Sequence, residues 1–206
     1  MHDVAAVILA AGRSKRMGAF KPLLPFGKQT VIESCIAYLR EGGVDTIVVV
    51  LGHRAEEIRE RVSHLDVICV INPDPESEMN ASVAVGVRGL PATAKATLIA
   101  LADHPAVPSD IVSTLIGAWQ NGASLVIPSW QNRGGHPVLV DLRYRAELEN
   151  LDPNRGLRAL FDAHQDELKR VPVESPYVAR DMDTWDDYSA LYQEVFGEPP
   201  PDPPRE

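Results

Sequence analysis

The chain has 206 residues, 45% hydrophobic and 24% charged, with a formal net charge of −9, which suits one domain able to bury a full core and is ordinary for a globular protein. The acidic balance argues against a broad nucleic-acid surface, so no nucleic-acid partner is expected. No apolar run approaches the roughly 18 residues of a membrane span, and Met1-His2-Asp3 has neither a basic n-region nor a cleavage site behind it, so no membrane partner and no secretory signal are expected.

In chain order, Val4–Ala11 is nearly all apolar without polar alternation, the pattern of a short strand buried on both faces. A Gly/Ser/basic loop follows from Gly12 to about Gly27. Thr30 and Glu33 form a capping box that opens a helix through Glu41, which Gly42-Gly43 ends. Thr46–Leu51 reads as a second buried strand, Ala55–Leu65 as a charged amphipathic helix, and Val67–Ile71 as a third strand. After a polar loop at Asn72–Asn80, Ala81–Leu90 reads as a helix weakened by Gly86. Ala96–Leu101 is a fourth strand, and Pro108 stands where a first helical residue fits, ahead of a helix to Gln120. Leu125–Pro128 is a fifth strand, Gly134-Gly135 a turn, and Pro137–Val140 another strand. Short helices near Arg143–Asn150 and Gly156–His164, a late strand at Leu168–Val173 and a helix from Thr184 to Val195 complete the pass. Cys35 and Cys69 fall inside apparent core elements at a spacing that fits neither a metal site nor a disulfide scaffold, so a reducing cytoplasm is the expected compartment.

Strands alternating with 10–13-residue helices predict βαβ units with right-handed crossovers. The expected fold is α/β: a single Rossmann-like three-layer α/β/α domain with a mostly parallel sheet, spanning residues 1–196. Residues 197–206 hold five prolines and read as a disordered tail.

Charge is concentrated in one place. Arg13, Lys15, Arg16, Lys21 and Lys28 give residues 12–28 a charge of +5, leaving −14 on the remainder. A basic loop in an acidic protein points to a small anionic ligand. In an open parallel sheet, ligands bind at the carboxyl ends of strands, and the small residues of Ala10-Ala11-Gly12 let backbone N–H groups approach a phosphate or a base. Arg16 offers a fork of donors and Lys21 a point charge for a triphosphate. The loop is no Walker motif, because Pro22 replaces the first glycine and Gln29 the Ser or Thr. Nor is it a dinucleotide fingerprint, with only Gly12 and Gly18 present. The bland account is a solvated turn between strand and helix.

The run Leu9-Ala-Ala-Gly-Arg-Ser-Lys-Arg-Met-Gly-Ala-Phe-Lys21 resembles the signature of the MobA-like NTP transferases: Leu-Ala-Ala-Gly, then Ser, then Arg-Met-Gly, then Lys. It is most similar to the molybdenum cofactor cytidylyltransferases and their relatives, and the likeness extends to about residue 192. The fold it implies is that of the nucleotide-diphospho-sugar transferases. It implies a nucleotide lined by Leu9, Ala10, Ala11, Gly12, Arg13 and Ser14, with Arg16 and Lys21 on its phosphates. Leu101-Ala-Asp103-His104-Pro105 resembles the family's Leu-x-Asp-x-Pro, in which the Asp binds Mg²⁺; His104 stands where Gln or Met is more familiar. From residue types alone, Asp103 is either such a ligand or a loop residue, although a hard cation that bridges phosphate oxygens needs carboxylates. Asp181-Met182-Asp183-Thr184 resembles the late Asp-x-Asp-Thr motif and makes Asp183 a second metal candidate, unless it merely precedes the Thr184 cap.

Met79-Asn80-Ala81-Ser82 resembles a Gly-Met-x-x-Ser run beside the nucleotide, with Glu78 in place of the glycine. This adds Ser82 to the nucleotide-binding set. Gly135-His136-Pro137 resembles the Gly-x-Pro segment on the acceptor side, and His136 and Arg155 are candidates for the acceptor phosphate. Trp119, Trp130 and Trp185 read as packing residues, and His53 as a structural histidine at the edge of the site.

The resemblance implies a Mg²⁺-dependent nucleotidyltransferase with Arg16, Lys21 and Asp103 as its catalytic groups. It would move CMP from CTP to a phosphorylated small-molecule acceptor, molybdopterin cofactor, with a molybdoenzyme as possible partner. The alternatives are a guanylyltransferase of the same cofactor, a sugar- or polyol-phosphate nucleotidyltransferase, and a cofactor-binding chaperone without catalysis.

Overall fold

A computed structural model describes residues 3–14, 16–74 and 79–201; Lys15, Glu78 and residues 202–206, on which parts of the sequence reading fall, lie outside them. Strand β1 (Val4–Ala10) is buried along nearly its whole length. Ala6, Ile8 and Ala10 face one hydrophobic cluster, and Ala5 and Val7 face another. The run of uniformly apolar residues has this cause: neither face of the strand meets water.

Around it stand β4 (Thr46–Leu51), β5 (Ile68–Ile71), β6 (Ala96–Leu101), β7 (Leu125–Trp130), β9 (Val138–Asp141) and β10 (Leu168–Pro172). Their order is β10-β7-β9-β6-β1-β4-β5, with the two-residue β8 (Arg133–Gly134) paired to β7. β1, β4, β5 and β6 are parallel, β7 is parallel to β10, and β9 runs antiparallel to both β6 and β7. The chain passes from β1 to β4 and β5 on one side, then returns to place β6 on the other. The strand order therefore reverses beside β1.

Helices cover both faces, which gives the three layers. On one face lie α1 (Val31–Glu41) and α4 (Ser109–Gln120), whose Ile32, Ile36, Leu39, Ile111 and Leu115 enter the same cluster as Ile8, joined by Ile58 of α2 (Ala55–Arg61). On the other lie α3 (Met79–Arg88), α5 (Arg145–Leu148) and α6 (Leu157–Ala163), which contribute Val83, Val87, Leu148 and Leu160. The Thr30–Glu33 capping box forms as expected, with the Thr30 N–H and hydroxyl both donating to Glu33 Oε2 at 2.7 Å. A small antiparallel hairpin of β2 (Pro25–Phe26) and β3 (Gln29–Thr30) turns at Gly27, φ +62°, inside what the sequence reads as plain loop. α7 (Trp185–Phe196), capped by Thr184 and Asp187, packs Tyr188, Leu191 and Tyr192 against Met17, Leu24, Phe26 and Met182 in a third cluster.

Some boundaries move. α3 already includes Met79 and Asn80, ahead of the expected Ala81, and α2 stops at Arg61. Pro108 is the N-cap in extended conformation rather than the first helical residue. The turn between β7 and β8 falls at Gln131-Asn132, both with positive φ, and not at Gly134-Gly135. Tight hairpins with two left-handed residues match the twist of the strands, and asparagine tolerates that conformation. No described helix is long and apolar enough to cross a membrane.

Gly86, a helix-weakening residue by propensity, has a packing reason. A Cβ there would lie 2.3 Å from Val7 Cγ1 and 2.9 Å from Val50 Cγ2, so glycine lets α3 approach β1 and β4 this closely. Gly86→Ala is expected to lower unfolding free energy by about 1–3 kcal/mol through overpacking. Gly117→Ala in α4, where an added Cβ meets nothing within 4 Å, is expected to be neutral or to stabilise by about 0.5–1 kcal/mol. Urea denaturation of the two variants checks the pair.

Candidate functional site

The reversal of strand order leaves a crevice at the carboxyl ends of β1 and β6, the usual ligand position in such sheets. A cavity of about 490 Å³ opens there, within the size range of small-molecule sites. Its lining includes Leu9, Ala10, Ala11, Gly12, Arg13, Ser14, Arg16, Lys21, Ser82, Asp103 and Asp183. Every residue that the sequence assigns to nucleotide or metal therefore borders one space.

The basic loop is held from within. Ser14 adopts φ +52°, its carbonyl accepts from the Met17 N–H at 3.1 Å, and its Oγ accepts from the Lys21 N–H at 3.1 Å. Phe20, buried beneath, meets the His53 ring edge-on at 5.6 Å and carries the Arg54 guanidinium on its face. Lys21 begins a 3-10 turn with Pro22, which fixes where its side chain leaves the backbone. Gly12 has open space where a Cβ would stand, so its backbone faces the cavity bare.

Four charges meet at the mouth. Lys21 Nζ donates to Asp183 Oδ1 at 2.8 Å and to Asp103 Oδ2 at 3.3 Å, and Arg16 Nη1 pairs with Asp183 Oδ2 at 2.7 Å. The hydrogen bond from Lys21, with Arg16 adding to it, holds the Asp183 carboxyl below the usual carboxylate range against a smaller opposing effect of burial. Among the described residues no three His, Cys, Asp or Glu side chains gather into a metal-binding group. Asp103 and Asp183 nonetheless converge on a single Nζ. Two hard oxygen donors at one point fit a small dication that takes its remaining ligands from phosphate and water.

Asp183 reaches this place by a different route from Asp103. Asp103 follows β6 directly. Asp183 arrives on the segment from Val173 to Thr184, a strap anchored at two points. Met182 is fully buried in the third cluster, and Tyr188 donates to the Pro25 carbonyl at 2.7 Å, tying α7 to the hairpin below the basic loop. Farther back, the Val178 carbonyl accepts from the His136 N–H at 2.7 Å, and a Cβ on Gly135 would lie 2.2 Å from that carbonyl oxygen.

The acceptor-side candidates are placed elsewhere. Gly135 and His136 do not line the cavity; they seat the strap. His136 Nδ1 lies 3.3 Å from the Ile99 carbonyl, and its ring stands edge-on to His104 at 5.9 Å. Arg155 is exposed and pairs with Asp162. Trp119 donates to Asp141 Oδ2 at 2.8 Å, away from the site. His53 is exposed and also lies outside the lining. Asn72 and Asp74, which the sequence reading passed over, do line the cavity. Asn72 is buried, donates to Ser82 Oγ at 3.0 Å and accepts from the Asp74 N–H. The available signal was a polar residue directly after β5, at the same sheet edge as Asp103. Cys35 lies beneath β6 with its thiol on the Leu101 carbonyl, and burial pushes its ionisation far up, so it offers no nucleophile.

The sequence profile of the MobA-like NTP transferase domain matches residues 6–168. The chain belongs to that family. It is 27% identical over 192 residues to the molybdenum cofactor cytidylyltransferase of Escherichia coli K12, covering 91% of this chain and 95% of that one. It is 32% identical over 190 residues to the nicotine blue oxidoreductase of Paenarthrobacter nicotinovorans, covering 88% and 92%. Among solved structures, Rv0371c of Mycobacterium tuberculosis H37Rv superposes with a TM-score of 0.83 at 26% identity over 93% of this chain and 98% of that one. A nucleotidyl transferase from Methanothermobacter does so with 0.83 at 26%, over 96% and 99%. The fold is that of the nucleotide-diphospho-sugar transferases, and the chain is a nucleotidyltransferase of the MobA-like kind.

Two predictions come from the strap and the histidines beneath this transferase's site. Gly135→Ala is expected to push the Val178 backbone away, costing about 1–3 kcal/mol by overpacking, and to loosen Asp183 so that turnover falls as well; kinetics and melting curves on the same sample check it. Burial, reinforced by neighbouring His104, holds His136 down to about 4 from 6.5. The native state thus stays neutral where the unfolded chain takes a proton, so stability is full above pH 6.5 and falls as pH drops toward 4. The loss is about 1–3 kcal/mol, the lower end allowing for the exposed part of the ring. Denaturation at stepped pH is expected to show this slope in the native protein and a shallower one in His136→Gln, where the remainder comes from His104, which burial also holds below its ordinary value.

Proposed function

We propose that the protein transfers CMP from CTP, bound with Mg²⁺, to a phosphorylated molybdopterin-type acceptor and releases pyrophosphate. The observation that carries the reading is the meeting of Arg16, Lys21, Asp103 and Asp183 at one mouth of one cavity. The E. coli relative's name gives the cytidylyl group and the cofactor. The Ala10-Ala11 pair supports CTP, since guanylyltransferase relatives resemble Ala-Gly-Gly at this loop.

An acceptor phosphate oxygen attacks the α-phosphorus of the triphosphate in line, and the bond to the β-phosphate oxygen breaks as pyrophosphate leaves. The acceptor is already ionised at neutral pH, so no dedicated base is needed. Arg16 and Lys21 stabilise charge that builds on the departing phosphates, and Gly12 to Ser14 position the nucleotide. Asp103 and Asp183 would hold the dication, which supplies charge neutralisation across the phosphate oxygens when bound. Such chemistry rests on positioning and electrostatics more than on a protein nucleophile. A neighbouring solved structure, a manganese complex of Rv0371c, supports a divalent ion in this scaffold.

A second reading has its own observation, the 32% identity to an oxidoreductase. The four-charge arrangement supports phosphate transfer over it, because hydride transfer requires no pair of carboxylates able to hold a dication beside phosphate-binding cations. A binding chaperone would likewise not need them.

Thermal melts with CTP, GTP, ATP and UTP, each with and without Mg²⁺, are expected to show the largest magnesium-dependent shift with CTP. Ligand at ~100 times its dissociation constant adds about 2.7 kcal/mol. Asp103→Ala is expected to cut pyrophosphate release by ~10²–10³, the scale of losing one preorganised charge-stabilising group, with little change in melting temperature. Near-normal turnover in that variant sinks the assignment, and reduced-nicotinamide consumption without pyrophosphate release would favour the oxidoreductase.

A further inference from the structure

Lys21 holds a position that conflicts with the task given to it above. Its ammonium lies between Asp183 Oδ1, at 2.8 Å, and Asp103 Oδ2, at 3.3 Å. The side chain is only 11% exposed, so this is no loose surface pair of the kind that contributes little. One oxygen of each carboxylate is turned to Lys21, Arg16 takes the remaining Asp183 oxygen at 2.7 Å, and Asp103 Oδ1 lies 3.8 Å from His104 Nε2. Two carboxylates and two cations leave the cluster neutral before any ligand arrives. A neutral cluster with an ammonium at its centre has no net pull on a dication, and the two cations cannot share the space. A nucleoside triphosphate reverses the balance: its phosphates compete for Lys21 and Arg16, and each cation that turns to them uncovers a carboxylate.

We propose that Lys21 is a built-in counter-ion that closes the Asp103–Asp183 pair to divalent metal until a nucleoside triphosphate draws it away. The inference rests on the reading of this cavity as a nucleotide and metal site. It makes Lys21 a gate on metal entry as well as a phosphate contact. Metal alone binds the protein poorly, nucleotide and metal enter together, and each raises the other's affinity by the same factor. Direct coordination of a metal by bound phosphates would also couple the two ligands. What distinguishes the gate is a pair of effects: removing Lys21 tightens metal binding without nucleotide and also shrinks the coupling between nucleotide and metal, whereas a lysine that only repels metal and never turns to phosphate leaves that coupling unchanged.

The test titrates Mn²⁺ into the full chain and reads free ion by electron paramagnetic resonance, for the native protein, Lys21→Met and Lys21→Gln, each with and without CTP. Without nucleotide, both variants are expected to bind Mn²⁺ at least tenfold more tightly than the native protein. The coupling between CTP and Mn²⁺ is expected to shrink in both. Arg16→Gln, at a side chain 74% exposed and so safe for folding, is expected to tighten Mn²⁺ about threefold, which keeps the test open if the Lys21 variants fail to fold. Unchanged or weaker Mn²⁺ binding in the folded variants overturns the gate, and the transferase reading then stands if the native protein still binds CTP with Mn²⁺ and releases pyrophosphate. A native protein that binds no Mn²⁺ even with a nucleotide overturns both.

Discussion

The burial of β1 on both faces is the constraint from which the rest follows. A strand whose alternate residues enter two different cores needs helices above and below it, and parallel neighbours reached by crossovers are the economical way to supply them. β4 lies on one side of β1 and β6 on the other, and the cavity opens at the carboxyl ends of β1 and β6, where Leu9 to Ser14 and Leu101 to Asp103 line it. Gly52, where a Cβ would lie 2.8 Å from the Ala11 side chain, shows how closely the neighbouring backbone closes on its wall. The chemistry of the protein is placed by this packing before any charged residue is considered.

The sheet supplies only part of the site. Asp103 is fixed by β6, but Lys21 and Asp183 depend on the third cluster, in which α7 and Met182 pack against the basic loop and its hairpin. Burying a side chain such as Met182 or Leu191 is worth about 1.5–3 kcal/mol, whereas a largely exposed ion pair such as Arg16–Asp183 gives about 0–1 kcal/mol. Apolar contacts therefore set where the charges stand, and the ion pairs report that placement. The same logic accounts for Gly135 and His136. Their backbone seats the strap at Val178, and neither residue is among those that line the cavity.

Relatives that share most of the chain's length carry the names of a cytidylyltransferase and an oxidoreductase. One scaffold thus hosts unlike chemistries, and function must be argued from the site. Here the site is a cavity of about 490 Å³ with a basic loop on one side and two carboxylates on the other.

Much of this was legible in the chain itself. The strands at Thr46–Leu51 and Ala96–Leu101 and the capping boxes at Thr30 and Thr184 are local matters of burial pattern and helix-end hydrogen bonding, and they fall where the sequence puts them. The Leu9–Lys21 motif also carried the resemblance to the family whose profile matches residues 6–168, and its small and basic residues suit close backbone approach to an anion. Pairings that reach beyond a single helix or strand, whether near or far along the chain, were not legible. The Gln131-Asn132 turn depends on how β7 pairs with β8. Arg155 is taken by Asp162, and Asn72 enters the cavity because β5 ends beside β4. The meeting of Lys21 with two carboxylates 82 and 162 residues away is decided by three-dimensional packing alone. Sequence determined which groups the protein owns and the local structure each sits in; only the tertiary structure decided which of them face one another, because ion pairs form over a few ångströms and folding alone brings Lys21, Asp103 and Asp183 within that distance.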